Sequence, residues 1–232
     1  VVVSKALNLV GPNTGVAGAG VRLPEAVVRP AINDPESAPI VSVEAENIVI
    51  DGFLFDGHNP GLVQPGDYVA NGVPVHAPAA IQNGNYPVLV AFNRVTIQNN
   101  VITNIAYDGV YLELPLGADN GWNYVGNNLF ANCWEGLQTY AVHSVITNNI
   151  FQSCNLGLSL HGTITAAPAG FQPLIASNEL TIAEWWPDEQ LPDRMNAQGI
   201  WVNYRRANAA QLDVVGNVIH TPVGAPAGKT IR

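Results

Sequence analysis

Charge is scarce in this chain: 12% of its 232 residues are Asp, Glu, Lys or Arg, and only Lys5 and Lys229 are lysines. The formal net charge is −9. An acidic, lysine-poor surface argues against nucleic acid and anionic membranes as partners, and Arg205-Arg206 is too short to count as a basic patch. Long apolar runs are missing too, and nothing approaches the roughly 18 residues of a membrane span. The opening Val1-Val2-Val3-Ser4-Lys5 has neither the basic region nor the cleavage site of a signal peptide. Cysteine is limited to Cys133 and Cys154, with no Cys-x-x-Cys spacing, and the five histidines form no His-x-x-x-His pair. Both facts argue against a zinc site. No Asn-x-Ser/Thr sequon occurs although Asn is abundant, which fits a bacterial source or an unglycosylated surface.

What the chain has instead is a repeat. Two polar turn residues are followed by two apolar ones in Ile97-Gln98-Asn99-Asn100-Val101-Ile102, Val125-Gly126-Asn127-Asn128-Leu129-Phe130 and Ile146-Thr147-Asn148-Asn149-Ile150-Phe151. Weaker copies are Ala176-Ser177-Asn178-Glu179-Leu180 and Val215-Gly216-Asn217-Val218-Ile219. From Asn100 to Asn128 to Asn149 the steps are 28 and 21 residues. A repeat this short cannot bury its own apolar face and must stack on its neighbours. The segments are rich in Val, Ile and Leu and bounded by Asn and Gly, which is strand-and-turn chemistry. Asn tolerates a left-handed backbone and suits a sharp corner. Stacked in register, equivalent Asn side chains are expected to form an amide ladder. Cys133 and Cys154 each lie five residues after the second Asn of their repeats, so they should sit one above the other, either as stacked core thiols or as a disulfide.

With these motifs the chain, from about Val41 to Ile219, resembles the right-handed parallel β-helix repeat proteins, the pectate-lyase-like superfamily that holds pectate lyases, alginate epimerases and many surface proteins. The resemblance implies an all-β fold: a right-handed parallel β-helix solenoid with Asn-rich turns and long loop excursions. Residues 1–232 then form one domain, with irregular N-terminal repeats over 1–40, regular repeats over 41–220 and a truncated end over 221–232. The chain opens without Met and stops soon after a repeat begins, so a piece of a longer protein is expected. Low Lys content and Asn-rich repeats lead us to expect a secreted or cell-surface location.

Long Gly/Pro/Asn-rich excursions are expected over Asp56–Tyr86, Thr163–Pro173 and Ala183–Ala197, and such loops are where binding and catalysis concentrate. Between them lie strands opened by Gly109, Gly136, Gly157 and Gly199. Strand alternation sends two columns outward: Tyr111, Gln138, Ser159 and Trp201 in one, and Glu113, Tyr140, His161 and Asn203 in the other. Aromatic plates mixed with amide, hydroxyl and carboxyl groups suit a sugar chain, and a loop bearing Trp185 and Trp186 would wall the groove.

No diagnostic motif of the lyases, epimerases or polygalacturonases recurs, so the leading expectation is a structural or adhesive module that binds polysaccharide. One alternative is a polysaccharide lyase or epimerase acting on uronate-containing glycans. In that case Tyr140 and His161 would serve as acid and base, and Arg205 would neutralise the uronate carboxyl. The other is an architectural subunit whose aromatics are covered by a partner chain. No cofactor is expected, although Glu184, Asp188, Glu189 and Asp193 could supply oxygen ligands to Ca²⁺.

Overall fold

The computed structural model describes residues 1–84, 92–113, 122–140, 143–164, 172–182, 198–206 and 212–220, with the side chains of 162–164, 182, 198 and 203–206 left aside. Among the described residues every regular element is a β-strand. Two large sheets account for all but two of the strands, and every pairing within them is parallel. The exception is a small antiparallel pair, Val69–Ala70 with Val73–Pro74.

One sheet has seven strands in sequence order: Leu7–Val10, Ile48–Asp51, Val95–Gln98, Asn123–Gly126, Ser144–Thr147, Leu174–Ala176 and Asp213–Val215. The other has twelve, including the long Val101–Leu112, Leu129–Thr139, Leu156–Ile164 and Gln198–Arg206. Between successive strands of the seven-stranded sheet the chain passes through one or two strands of the twelve-stranded one, and each strand pairs with its equivalents in neighbouring repeats. Val101 is opposite Leu129 and Leu129 opposite Ile150, which reproduces the spacing of the Asn-Asn motifs.

Three apolar columns fill the core. Ile50, Ile97, Val125, Ile146 and Ile175 are aligned in the seven-stranded sheet. Phe55, Ile102, Phe130, Phe151 and Leu180 are aligned in the other sheet, where the Phe130 and Phe151 rings stack at 4.8 Å. Ile81, Val110, Leu137, Leu158 and Ile200 form the third column. Nearly all of these side chains are fully buried, each contributing about 2–3 kcal/mol relative to exposure.

The turn between the first two columns carries the Asn pairs. The first member of each pair takes the left-handed backbone, with φ of 56° at Asn99 and Asn127 and 54° at Asn148. The second members form the expected ladder: Asn100 Nδ2 donates to Asn128 Oδ1 (3.2 Å), Asn128 to Asn149 (3.0 Å), Asn149 to Asn178 (3.0 Å) and Asn178 to Asn217 (2.8 Å). The amide oxygens of Asn128, Asn149, Asn178 and Asn217 also accept the previous Asn's backbone N–H, that of Asn100 accepts the Phe53 N–H (3.0 Å), and each Nδ2 also donates to a main-chain carbonyl, as Asn128 does to Ile97 (2.9 Å). These amides are therefore hydrogen-bonded on both sides despite burial.

Some features differ from the sequence reading. Within the N-terminal repeats expected to be irregular over 1–40, two short strands already join the sheets: Val2–Val3 the twelve-stranded one and Leu7–Val10 the seven-stranded one. The stretch read as an excursion over Asp56–Tyr86 contains a core strand, Ala79–Asn83, with Ile81 fully buried. Its sequence holds one large apolar residue between Pro/Ala and Asn/Gly, so alternation alone hides it. A second left-handed corner at Asn104, Asn132 and Ser153 also goes unread from the motif, because the residues before it differ in every copy. Cys133 and Cys154 are buried free thiols, and burial first, then the neighbouring Cys154, pushes the Cys133 thiol well above its ordinary pKa.

Candidate functional site

The site face is built by parallel strand segments: Val41–Val43, Ala79–Asn83, the C-terminal halves of Val101–Leu112 and Leu129–Thr139, and Leu156–Ile164, continued by Gln198–Arg206. Tyr111, Gln138, Ser159 and Trp201 are opposite one another in register, and Gln82 and Ser42 extend the column the other way. With strands about 4.8 Å apart, this column runs about 24 Å. In the second column His161 is opposite Asn203.

The glycine before each segment makes this register possible. A Cβ on Gly136 would lie 2.3 Å from Phe151 Cδ1 and 2.7 Å from the Gly157 carbonyl, and one on Gly109 would lie 2.7 Å from Phe130 Cδ1. The chain bends there, with Gly and the following apolar residue both facing the core. The residue before the glycine therefore turns outward, to the same side as Tyr111 and Gln138. In two repeats that residue is acidic: Asp108 and Glu135, which are opposite one another in the sheet.

These two carboxyls are the site residues that sequence alternation missed. Counting every second residue back from Val110 and Leu137 assigns them to the core. The readable signal was an acid directly before the strand-opening glycine in successive repeats, Asp108-Gly109 and Glu135-Gly136.

Rather than a fully solvated surface, the face is partly buried: Ser159 is at 0%, Glu113 at 5% and His161 at 9% exposure, with Glu135 beside them at 1%, whereas Tyr111, Gln138, Tyr140 and Trp201 are half-buried. Buried polar groups require partners, and here they have each other. Ser159 Oγ makes a very short hydrogen bond to Glu135, and His161 Nε2 lies 3.0 Å from the same Oγ. Gln138 Nε2 donates to the other Glu135 oxygen at 3.5 Å. Burial first, then the charge of Asp108, drives the Glu135 pKa well above its ordinary 4.5. Burial alone lowers the His161 pKa, favouring neutral imidazole.

The Glu135–Ser159–His161 chain has two proton arrangements. With Glu135 ionised, Ser159 donates to it and accepts from His161 Nε2–H. With Glu135 protonated, the direction reverses and His161 Nε2 becomes the acceptor. A hydroxyl between an acid and an imidazole thus links their protonation.

Above this chain lies an aromatic shelf. The Tyr140 ring stacks on His161 at 4.9 Å and 23°, Trp201 meets His161 edge-on at 4.8 Å, and Tyr111 meets Tyr140 at 6.0 Å. The two rings of the stacked pair therefore lie face to face, the Tyr140 phenol ring over the His161 imidazole. Tyr111 donates its phenol to Glu113 at 2.7 Å, and burial first, then that carboxyl, raises its pKa. Burial first, then Glu113, Glu135 and Asp108, raises that of Tyr140 as well. Both phenols are therefore held protonated.

Tyr111 and Glu113 also join this shelf to an open groove of about 500 Å³, lined by Glu36, Ser42, Gln82, Tyr107 and Asp108 among others. Glu36 is held there by the Tyr68 phenol at 2.7 Å.

Among the other expected site residues, Asn203 and Arg205 have described backbones in the last face strand, Arg205 opposite Thr163, while their side chains lie outside the description. Trp185, Trp186, Glu184, Asp188, Glu189 and Asp193 lie outside the described residues. Among the described residues no three His, Cys, Asp or Glu side chains converge to hold a metal ion, and no helix is long and apolar enough to cross a membrane. Comparison with family models, curated proteins and solved structures finds no match.

Proposed function

We propose that this chain is a right-handed parallel β-helix module, secreted or displayed on a cell surface, that binds polysaccharide along its outer strand face. Parallel sheets that the chain visits in turn, repeat after repeat, support the coil, and parallel crossovers are right-handed in about 98% of cases. One observation carries the sugar reading. Four rings, Tyr111, Tyr140, His161 and Trp201, form a continuous shelf beside a groove supplied with hydroxyl, amide and carboxyl groups. Pyranose faces stack on such rings while their hydroxyls bond to such groups. The role is structural or adhesive.

A second reading, a polysaccharide lyase or epimerase, is favoured by the Glu135–Ser159–His161 chain. It holds a neutral imidazole beside the Tyr140 phenol, the pairing that proton abstraction and return requires. A glycan-array screen of the purified chain beside Trp201→Ala tests both. Binding to a defined glycan set, weakened at least about tenfold in the variant, is the expected result. Growing ultraviolet absorbance from an unsaturated product would select the lyase. Absence of binding to any glycan overturns the sugar face and leaves an architectural subunit.

A further inference from the structure

Ser159 has a single hydrogen with which to satisfy two partners. Its Oγ meets both Glu135 Oε1 and His161 Nε2, the latter at 3.0 Å. One contact uses the serine's own hydrogen, and the partner must supply the hydrogen of the other. The second carboxyl oxygen of Glu135 accepts from Gln138 Nε2 at 3.5 Å, so a proton on this acid belongs on Oε1, facing Ser159. Ser159 is fully buried, which leaves no bulk water to relieve the constraint.

The constraint reaches the other nitrogen of the imidazole. With Glu135 ionised, a neutral ring must donate from Nε2, which leaves a lone pair on Nδ1. With Glu135 protonated, Nε2 must accept, and the ring's hydrogen moves to Nδ1. Either mismatched tautomer sets two hydrogens or two lone pairs against each other inside the buried chain. Nδ1 makes no hydrogen bond to the described residues and is not sealed in the core, so it is the nitrogen that meets a ligand. The ring is held in place by Tyr140 stacked on it and Trp201 against its edge. The charged and titratable surroundings act in the same direction. Burial first, then Asp108 across the sheet and more weakly Cys154, favours the proton on Glu135, with the Ser159 hydrogen bond opposing. Burial disfavours imidazolium at His161. Beside that ring stand the Tyr140 phenol, which stays protonated, and beyond it Glu113.

We propose that the Glu135 carboxyl, acting through Ser159, decides whether His161 presents a base or a hydrogen-bond donor at Nδ1, so that acidification switches what the face offers a ligand. Glu135 and Ser159 are positioning residues, and His161 is the group that touches the ligand. The switch belongs to the protein alone, while its use on a glycan rests on the sugar-face reading above. With Glu135 ionised a sugar hydroxyl donates to Nδ1; with Glu135 protonated Nδ1–H donates to a sugar oxygen. In the lyase or epimerase reading the same chain carries an abstracted proton away. An N–H bond forms at Nδ1, the Nε2 proton passes to Ser159 Oγ, and the hydroxyl's own proton passes to Glu135. The ring stays neutral throughout, and the carboxylate charge is neutralised by the proton that the substrate gives up.

Nitrogen-15 NMR of the full chain tests the switch, with the His161 ring assigned through its contacts to Tyr140 and Trp201. As pH falls from about 9, the hydrogen should move from Nε2 to Nδ1 before the ring gains a second proton. The tautomer ratio should reverse, from at least about tenfold in favour of Nε2–H to at least about tenfold in favour of Nδ1–H. That series uses the unaltered chain and so needs no variant to fold. Ser159→Ala cuts the link and should abolish the reversal, leaving only ordinary ring protonation. Glu135→Gln has nothing to titrate and should hold one tautomer until the ring itself is protonated. Thermal melting checks that both variants are folded. A ring that keeps one tautomer until it becomes imidazolium in the unaltered chain, or a reversal that survives Ser159→Ala, overturns the switch while leaving the sugar face standing. A reversal lost in both variants, in a chain that binds nothing on the array, upholds the switch and removes only its use on glycans.

Discussion

Two polar columns run through this molecule, and they are opposites in kind. The ladder Asn100–Asn128–Asn149–Asn178–Asn217 repeats one residue type, carries no charge, and satisfies its amides with each other and with the main chain. The column around Tyr111, Gln138, Ser159 and Trp201 changes residue at every step and gathers Asp108, Glu135 and His161 beside it. The first does the same job at each repeat, joining one turn to the next. The second does something different at each repeat, which a scaffold has no need of. In a stacked repeat protein, uniformity down a column marks architecture and variation in a partly buried polar column marks a site.

The largest expected effect comes from breaking the uniform column. Asn128→Ala removes the acceptor of Asn100's backbone and side-chain donors and the donor to the Ile97 carbonyl, all of them buried. Each unsatisfied group costs about 1–3 kcal/mol, so a loss of about 3–5 kcal/mol in urea unfolding is expected. A loss under about 1 kcal/mol would mean that water replaces the ladder and that its uniformity is incidental.

Next is the bend that turns Glu135 outward. Gly136→Ala drives a methyl group into the Phe151 ring and the Gly157 carbonyl, for an expected loss of about 2–3 kcal/mol. Near-neutral behaviour in the same unfolding assay would show that the site strand bends for some other reason.

The smallest effect has the opposite sign. The folded state raises the Glu135 pKa, so it holds that proton more tightly than the unfolded chain does. This contribution is complete below the ordinary value of 4.5 and is lost as pH rises through the folded value. Glu135→Gln keeps an acceptor for Ser159 and removes the charge. It should therefore stabilise the protein at pH 8 by about 1–2 kcal/mol and show little gain at pH 4. Thermal unfolding of both proteins across that range checks it. A destabilised variant at pH 8 would mean that the ionised carboxylate is itself required, and the site column would then resemble the ladder in function.

The two columns also differed in how readable they were. The ladder was legible because recurrence of Asn-Asn at shifting intervals can be seen without coordinates, and the left-handed first Asn and hydrogen-bonded second Asn follow from the chemistry of that side chain. The outward register of Tyr111, Gln138, Ser159 and Trp201 was legible for the same reason, since each follows a strand-opening glycine by two residues. Asp108 and Glu135 were not, because strict alternation fails at the glycine bend. Their burial was also hidden, since it depends on what covers the face. Ala79–Asn83 was obscured by the Pro- and Asn-rich sequence around it, and only its pairing with Val41–Val43 and with the Asp108 strand identifies it as core.

What the sequence determined by itself is therefore the repeat: strand-forming Val, Ile and Leu set between Asn and Gly, whose local conformational preferences exist before any contact is made. The acidic groove, the coupling of Asp108 to Glu135, and the placement of Ser159 between an acid and an imidazole were decided by tertiary structure alone. These depend on residues far apart in sequence meeting across strands at a bend, and on burial strengthening every charge interaction once water is removed.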